Sequence, residues 1–297
     1  MDFYQLNTFY HVAQRLNFTR AAEDLNMSQS AVSRQIEALE KNLGLPLFNR
    51  IGRSVSLTEA GYVLYKQCEQ ILRLVEGTQA AIETLKNLES GSLRVGCSST
   101  VGNYILPSVV LKFIRKYPGI QIHVNIDCTK HMLERAEAGD VDIAIIAGPI
   151  ESNVLYVEPF LKDEIVLAMG KNHPLVGEDD ILFDSLSQYP ILVRSEGSHS
   201  RKTILQHFAR IGWDTISTVE FDTTEAIKQA IIAGPAIGFL SKFSIHHEVQ
   251  CGLMSMYDHE PYAIHRNFYI VSHKGKHPSP AMLAFKTFLR KHGIFYV

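Results

Sequence analysis

The chain has 297 residues, of which 46% are hydrophobic and 20% charged, and its formal net charge is −2. That balance belongs to a folded globular protein and excludes extensive disorder, and at roughly 100–200 residues per domain the length predicts two domains, or three if one is small. No run of about 18 apolar residues occurs, which excludes a membrane-spanning helix and any membrane partner. The start, MDFYQLNTFYHVAQRLNF, lacks a basic stretch followed by an apolar one, so a cytoplasmic protein is expected. Cys68, Cys97, Cys128 and Cys251 lie far apart with no CxxC and no ligand-like Cys/His cluster. Neither a zinc site nor a disulfide framework is expected, and no metal or cofactor.

Residues 1–58 carry six basic and five acidic side chains, so any nucleic-acid binding there must rest on charge placement rather than bulk charge. Leu6, Phe9, Val12 and Ala13 recur at helical spacing. Asn17 breaks that helix, and Thr19 is expected to cap the next, Arg20 to Leu25. Asn26-Met27-Ser28 reads as a turn of about three residues. Ser28 is a good N-cap for a third helix, Gln29 to Leu43, whose Val32, Ile36, Leu39 and Leu43 form one buried stripe and which Gly44 ends. Leu47 to Arg50, Ile51-Gly52-Arg53 and Ser54 to Leu57 then read as strand, turn and strand. Thr58 caps a long helix reaching about Leu88. Its apolar positions, from Leu57 and Gly61 through Cys68 to Leu85, alternate spacings of four and three, a heptad seam of about four repeats. Such a helix has nothing in its own small domain to pack against, so a homodimer with a coiled-coil linker is expected; burial against the C-terminal part is the alternative.

Glu89 to Ser92 marks a linker, after which strands alternate with helices. Strands are expected at 93–97, 120–124, 141–146, 164–169, 191–193, 237–240 and 268–271. Helices are expected at 106–117, 132–138, 200–211, 224–233 and 280–291. This alternation predicts an α/β fold with a mostly parallel sheet. No internal repeat is visible.

Two helices joined by a short turn and followed by a hairpin form a winged helix-turn-helix pattern, in which the second helix enters the major groove of double-stranded DNA. Its leading side chains are Gln29, Ser30, Ser33 and Arg34, opposite the buried stripe. Gln suits adenine, Arg suits guanine, and Ser suits either. Arg50 and Arg53 flank the hairpin tip, within reach of a phosphate or the minor groove. Thr19 and Ser28 stand where helix N-termini hold phosphates. The plain alternative is that Arg34 pairs with Glu37 on a solvated face.

The segment FTRAAEDLNMSQSAVSRQIEALEKNLGLPLFNRIGRSVSLTEAG resembles the DNA-binding domain of LysR-type transcriptional regulators. The Ala-Ala pair, the Ser-Gln-x-Ala-Val-Ser run, Leu-Glu-x-x-Leu-Gly and the Leu-Phe-x-Arg wing occur in the family's order. Ser30 departs from it, since members often carry proline there. The resemblance covers the whole chain. It implies a bacterial regulator, built as a dimer of dimers, that binds a promoter and alters RNA polymerase access. The domains are then 1–58 (winged helix-turn-helix), 59–90 (linker helix) and 91–297 (effector binding). The last resembles periplasmic binding proteins, with one half at 91–161 and 268–297, the other at 162–267, and crossovers at 160–162 and 265–267.

Ligands in such folds sit where loops leave the carboxyl ends of strands. Three such loops are polar: Ser98-Ser99-Thr100; Thr129, after Cys128; and Ser195 to Arg201, which contains Ser198, His199 and Ser200. Hydroxyls and free N–H groups at helix starts suit an anion, and Arg194, Arg201 and Lys202 add positive charge. The resemblance matches Thr100, Thr129, His199 and Ser200 to effector contacts; ordinary helix capping is the plain alternative for each. The stretches PFLKDEIVLAMGKNHPL, RSEGSHSRK and TTEAIKQAIIAGPAIGFLS are most similar to regulators of cysteine biosynthesis and sulfite response, which implies a small oxyanion, a sulfur species or an organic acid. Cys97 and Cys128 fall near the expected cleft as small buried hydrophobes, a redox switch being the alternative. No GxSxG elbow, P-loop or HExxH occurs, so an enzyme is not expected. A solute-binding or scaffold protein is the other rival, and the first 58 residues are what decides between them.

Overall fold

The structure, a computed structural model, describes residues 1–51, 54–213 and 218–293, Ile51 by its backbone alone. It divides into two compact units, Met1–Thr84 and Leu85–Val297.

The first unit opens with three helices, α1 (Phe3–Arg15), α2 (Phe18–Asp24) and α3 (Gln29–Leu43). Asp2 and Gln5 form a reciprocal capping box at the start of α1. Asn17, not Thr19, caps α2: its side-chain oxygen accepts from the backbone N–H groups of Thr19 and Arg20, at 2.9 and 3.1 Å. The residue that stops α1 therefore starts α2, and Thr19 is one of the donors it satisfies. Ser28 caps α3 by accepting from the Ala31 N–H, and Gly44 ends it at φ +73°. Val32, Ile36 and Leu39 are buried with Phe9, Val12, Phe18 and Ala21 in one core. Leu43 lies beyond that core and is exposed, so the stripe is one residue shorter than its spacing predicts.

The wing is a two-stranded antiparallel hairpin, β1 (Phe48–Ile51) and β2 (Ser54–Leu57), with Arg50 opposite Val55. Gly52 and Arg53, expected at its turn, lie outside the described residues. The long helix α4 (Glu59–Lys86) follows. Thr58 caps it, its hydroxyl accepting from the Gly61 N–H at 3.0 Å and donating to the Pro46 carbonyl at 2.7 Å. Gly61 is required there, because a Cβ would stand 2.1 Å from the Leu47 carbonyl oxygen. The heptad seam splits in two. Leu64, Tyr65, Cys68 and Ile71 join the unit's own core, and Tyr65 stacks on Tyr10 at 5.3 Å. The first half of the helix thus does have a partner within its own unit, contrary to the sequence expectation. Further along the seam, Ile82 and Leu85 are exposed.

The second unit is a nine-stranded sheet with helices on both faces. In chain order it runs β3 (Gly91–Ser98), a π-helical turn (Val101–Ile105), α5 (Leu106–Lys116), β4 (Ile120–Asp127), α6 (Thr129–Glu137), β5 (Ile143–Gly148) and β6 (Leu155–Gly170). Then come α7 (Phe183–Leu186), β7 (Ile191–Arg194), α8 (His199–Arg210), β8 (Thr218–Phe221), α9 (Thr224–Ala233) and β9 (Ile237–Ser241). It ends with α10 (Lys242–Gln250), β10 (Met254–Tyr257), β11 (Ile264–His273) and α11 (Pro280–His292). The strand order is β4-β3-β5-β11-β6-β9-β7-β8, with β10 beside β6.

The sheet is mixed rather than mostly parallel. β3 pairs parallel with β4 and β5, and β7 with β8 and β9, but β6 and β11 run antiparallel to their neighbours. The reason is that both expected crossovers lie inside long strands. β6 and β11 pass without a break from one half to the other, with Asn267 opposite Lys162 and Arg266 opposite Asp163. Each half has its own apolar core, one around Phe113, Phe268 and Phe285, the other around Phe208, Phe239 and Tyr262. Strand β5 is buried along its whole length, as strands covered on both faces are.

Candidate functional site

In the first unit, burial of Val32, Ile36 and Leu39 turns the opposite face of α3 outward. Ser28, Gln29, Ser30 and Arg34 are exposed and Ser33 is half-buried. The Arg34 Nε donates to the Ser30 carbonyl at 3.3 Å, while Glu37 accepts from the Ser33 hydroxyl. The expected alternative, an Arg34–Glu37 pair, is thus replaced by a guanidinium held along the helix. Arg50 does not extend freely from the wing: its guanidinium lies 4.4 Å over the Phe18 ring, and Nη1 donates to the Ser33 hydroxyl at 3.4 Å. Wing and α3 therefore share one polar, outward face. Thr19 is exposed on α2.

In the second unit a cleft opens at the carboxyl ends of β3, β4 and β7, where the π-helical turn, α6 and α8 begin. It gathers Ser98, Ser99, Thr100, Thr129, Ser198, His199 and Ser200 from the expected set. It does not gather Ser195 or Arg201. The Ser195 N–H is spent on the Phe221 carbonyl, and Arg201 turns away to the Arg194 carbonyl and to Glu220, at 3.1 and 2.5 Å. Capping does not account for the hydroxyls. Ser198 stands at the N-cap of α8 without a side-chain cap bond, as Cys128 does at α6. The Ser98 hydroxyl is buried with no partner among the described residues, and so is the Arg194 Nε. A buried polar group left unpaired costs about 1–3 kcal/mol, and here two line one small cavity.

Arg266 is the residue that the sequence reading missed. It is buried, its Nε donates to Asp163 at 2.6 Å, and Asp163 also accepts from the Ser241 hydroxyl at 2.7 Å. Its other two nitrogens reach across the cleft, Nη1 to the Ser200 hydroxyl at 2.7 Å and Nη2 to that of Thr100 at 3.4 Å. The signal was available: Ile264, Arg266 and Phe268 alternate as the inward face of a strand, and a charge on such a face needs a reason. His199 sits beside this cation. Burial, then Arg266 and Lys202, hold its imidazole down to about 4, so it is neutral near pH 7. The arrangement offers hydroxyls, helix N-termini and a fixed guanidinium to a small anion.

The cysteines differ in role. Cys97 belongs to the apolar core, where burial pushes its thiol up to about 12. Cys128 lines the cleft. Asp127, Cys128 and His131 form a trio with ligand atoms within 4.8 Å of one another, a cluster that the sequence reading did not recognise. Arg194 and Arg135 act on its members, and it heads a helix N-terminus; that field disfavours a cation. Among the described residues no helix is long and apolar enough to cross a membrane.

Two family models match this chain: a bacterial regulatory helix-turn-helix protein of the lysR family over residues 3–62, and a LysR substrate binding domain over residues 86–293. A RuBisCO operon transcriptional regulator from Allochromatium vinosum is 32% identical over 285 residues, 96% of this chain and 94% of its own length. A full-length OxyR variant from Pseudomonas aeruginosa has the same fold, with a TM-score of 0.82 at 23% identity over 98% of this chain and all of its own. The regulatory domain of CcmR from Synechocystis, solved in complex with 2-PG, is 28% identical, with a TM-score of 0.64 over 69% of this chain and 99% of its own. These are regulators and not enzymes, and the match extends through both units. The chain belongs to the LysR family of transcriptional regulators, in which a helix-turn-helix unit is joined to an effector-binding domain.

Proposed function

We propose that this protein binds promoter DNA through α3 and the wing, and that a small anion held in the cleft at Thr100, Thr129, Ser198, His199, Ser200 and Arg266 modulates that binding. The observation that carries the reading is the cleft's unspent polar capacity. The buried Ser98 hydroxyl has no partner among the described residues, and Arg266 bridges Thr100 and Ser200. An anion seated there competes for those hydroxyls and re-spaces the two walls, a bias of the size typical of allosteric coupling, about 1–3 kcal/mol. The CcmR domain, related over the effector region, was solved with 2-PG, which favours a small organic anion. A sulfur oxyanion, expected from the sequence, finds no support in the relatives reported above.

In this reading residues 1–58 bind DNA, 59–90 link and dimerise, and 91–297 bind effector as two halves, 91–161 with 268–297 and 162–267. The assembly is a homodimer through α4 and a tetramer of two such pairs, acting in the cytoplasm on RNA polymerase access. The test is a Thr100→Val, Thr129→Val variant. It keeps operator affinity in gel shift and loses the shift of that affinity produced by 2-PG in the unaltered protein. Retention of the full response in the variant removes the cleft from the mechanism.

A further inference from the structure

A groove of about 440 Å³ lies where α10 meets the strands that cross between the halves, a volume in the range of small-molecule sites. One wall is a face of α10, on which Phe243, His246, Val249 and Gln250 recur at helical spacing. The other is Lys162 and Glu164 of β6, His265 of β11 and Met256 of β10. The groove lies on the sheet face opposite the cleft. Ile245 of α10 packs with Val166 and Ala168, whereas Ile204 and Phe208 of α8 pack with Ile165 and Leu167. Side chains alternate along a strand. Lys162 and Glu164 therefore share the α10 face, while Asp163, which holds Arg266, faces the other way.

The lining is aliphatic, and its charges leave one cation over. Ile245, Val249 and Met256 line the groove with the ring of Phe243, and the lysine stems can cover more apolar surface. Met256 is 42% exposed on β10, an apolar side chain left facing water. Both acids in the lining are spent, Asp163 on Arg266 at 2.6 Å and Glu164 on Lys242 at 2.7 Å. Lys162 is exposed and makes no ion pair with a described residue. In the β6–β11 register Lys162 stands opposite Asn267 and Glu164 opposite His265. Lys162 and His265 are thus diagonal neighbours on one face, close enough for long side chains to meet. An apolar groove with an unpaired ammonium at its edge complements a molecule of the converse build, a hydrocarbon body ending in one carboxylate.

We propose that this groove binds a medium-chain aliphatic monocarboxylate, with its hydrocarbon along Phe243, Val249 and Met256 and its carboxylate on Lys162 beside His265. The site is separate from the cleft and does not rest on what the cleft holds. Its place in the fold gives it leverage. Phe243 packs against the core of the first half, 6.5 Å from the Phe268 ring, while Ile245 on the same helix belongs to a core of the second. An occupant therefore bears on both halves at the point where β6 and β11 pass between them.

The test titrates the full chain by calorimetry with hexanoate, octanoate and decanoate below their micellar concentrations, each against the alkanol of the same length. One alkanoate binds per chain, and affinity rises about threefold to fourfold per added methylene. Each alkanoate binds about fivefold more tightly than its alkanol. Lys162→Gln removes that advantage and leaves the alkanol affinity unchanged. Met256→Glu, at an exposed position that tolerates a charge, weakens both series about tenfold or more with an unchanged thermal midpoint. The Thr100→Val, Thr129→Val variant binds alkanoates as the unaltered chain does. Absence of binding, an affinity indifferent to chain length, or binding that survives Met256→Glu overturns the groove. An alkanoate advantage that survives Lys162→Gln overturns the assigned head group. Loss of alkanoate binding in the Thr100→Val, Thr129→Val variant puts the ligand in the cleft and overturns the proposal while leaving the cleft reading intact.

Discussion

At the residue scale, the two sites reward opposite kinds of group. On α3, Arg34 is exposed and, among the described residues, bonds to its own helix backbone, a bond it can exchange for a base edge. Arg34→Ala is expected to weaken specific operator binding by about 1–3 kcal/mol, and competition against non-specific DNA checks it. In the cleft, His199 and Arg266 are fixed by their surroundings. The neutral His199 imidazole makes stability depend on pH. Unfolded, it takes up a proton near about 6.5; folded, it resists down to about 4. The unfolded state therefore binds more protons between these values, and the stability present above 6.5 is lost as pH falls toward 4. His199→Gln is expected to lose less stability across that window, read as urea midpoints. Arg266 was passed over because the strand was expected only from residue 268, which left its inward alternation with Ile264 and Phe268 unread, and because its partner Asp163 lies more than a hundred positions away.

At the element scale, caps and glycines decided where helices begin and how they seat. Ser28, Gly44 and Thr58 act as their residue types predict. Thr19 does not, because Asn17 stands two residues earlier and reaches the same donors. Gly61 shows a constraint that no propensity reveals, its missing side chain being what lets α4 close on the Leu47 backbone. Gly61→Ala is expected to destabilise the first unit by about 1–3 kcal/mol through overpacking. The sole tryptophan, Trp213, lies in the second unit. The circular dichroism transition should therefore move while the tryptophan fluorescence transition stays. The strands β8 and β10 and the helix α10 went unread because each is short and half-buried, with a pattern that neither period describes.

At the scale of the whole molecule, α4 carries the outstanding obligation. Its first half packs into the core of its own unit, and its second half presents Ile82 and Leu85, three apart on the seam, to solvent, 50% and 47% exposed. Water-facing apolar residues at heptad spacing call for a second helix. An Ile82→Glu, Val75→Glu variant is expected to shift sedimentation toward the monomer and to weaken operator binding with it, because paired half-sites need paired recognition helices. A variant that remains dimeric places the contact elsewhere.

The sequence by itself determined α3, the paired strands that follow it, the long helix and the polar loops at strand ends, because caps, periods of 3.6 and 2, and turn residues are local physics written in adjacent residues. Only the tertiary structure decided which of those loops converge. Ser98, Thr129 and Ser200 meet in one cleft, whereas Arg201 is drawn off to Glu220. It also decided that β6 and β11 run unbroken through both halves and bring Asp163, Arg266 and Thr100 together. Strand pairing is a long-range bargain between segments, and the buried charge at its centre has meaning only once its partners are in place.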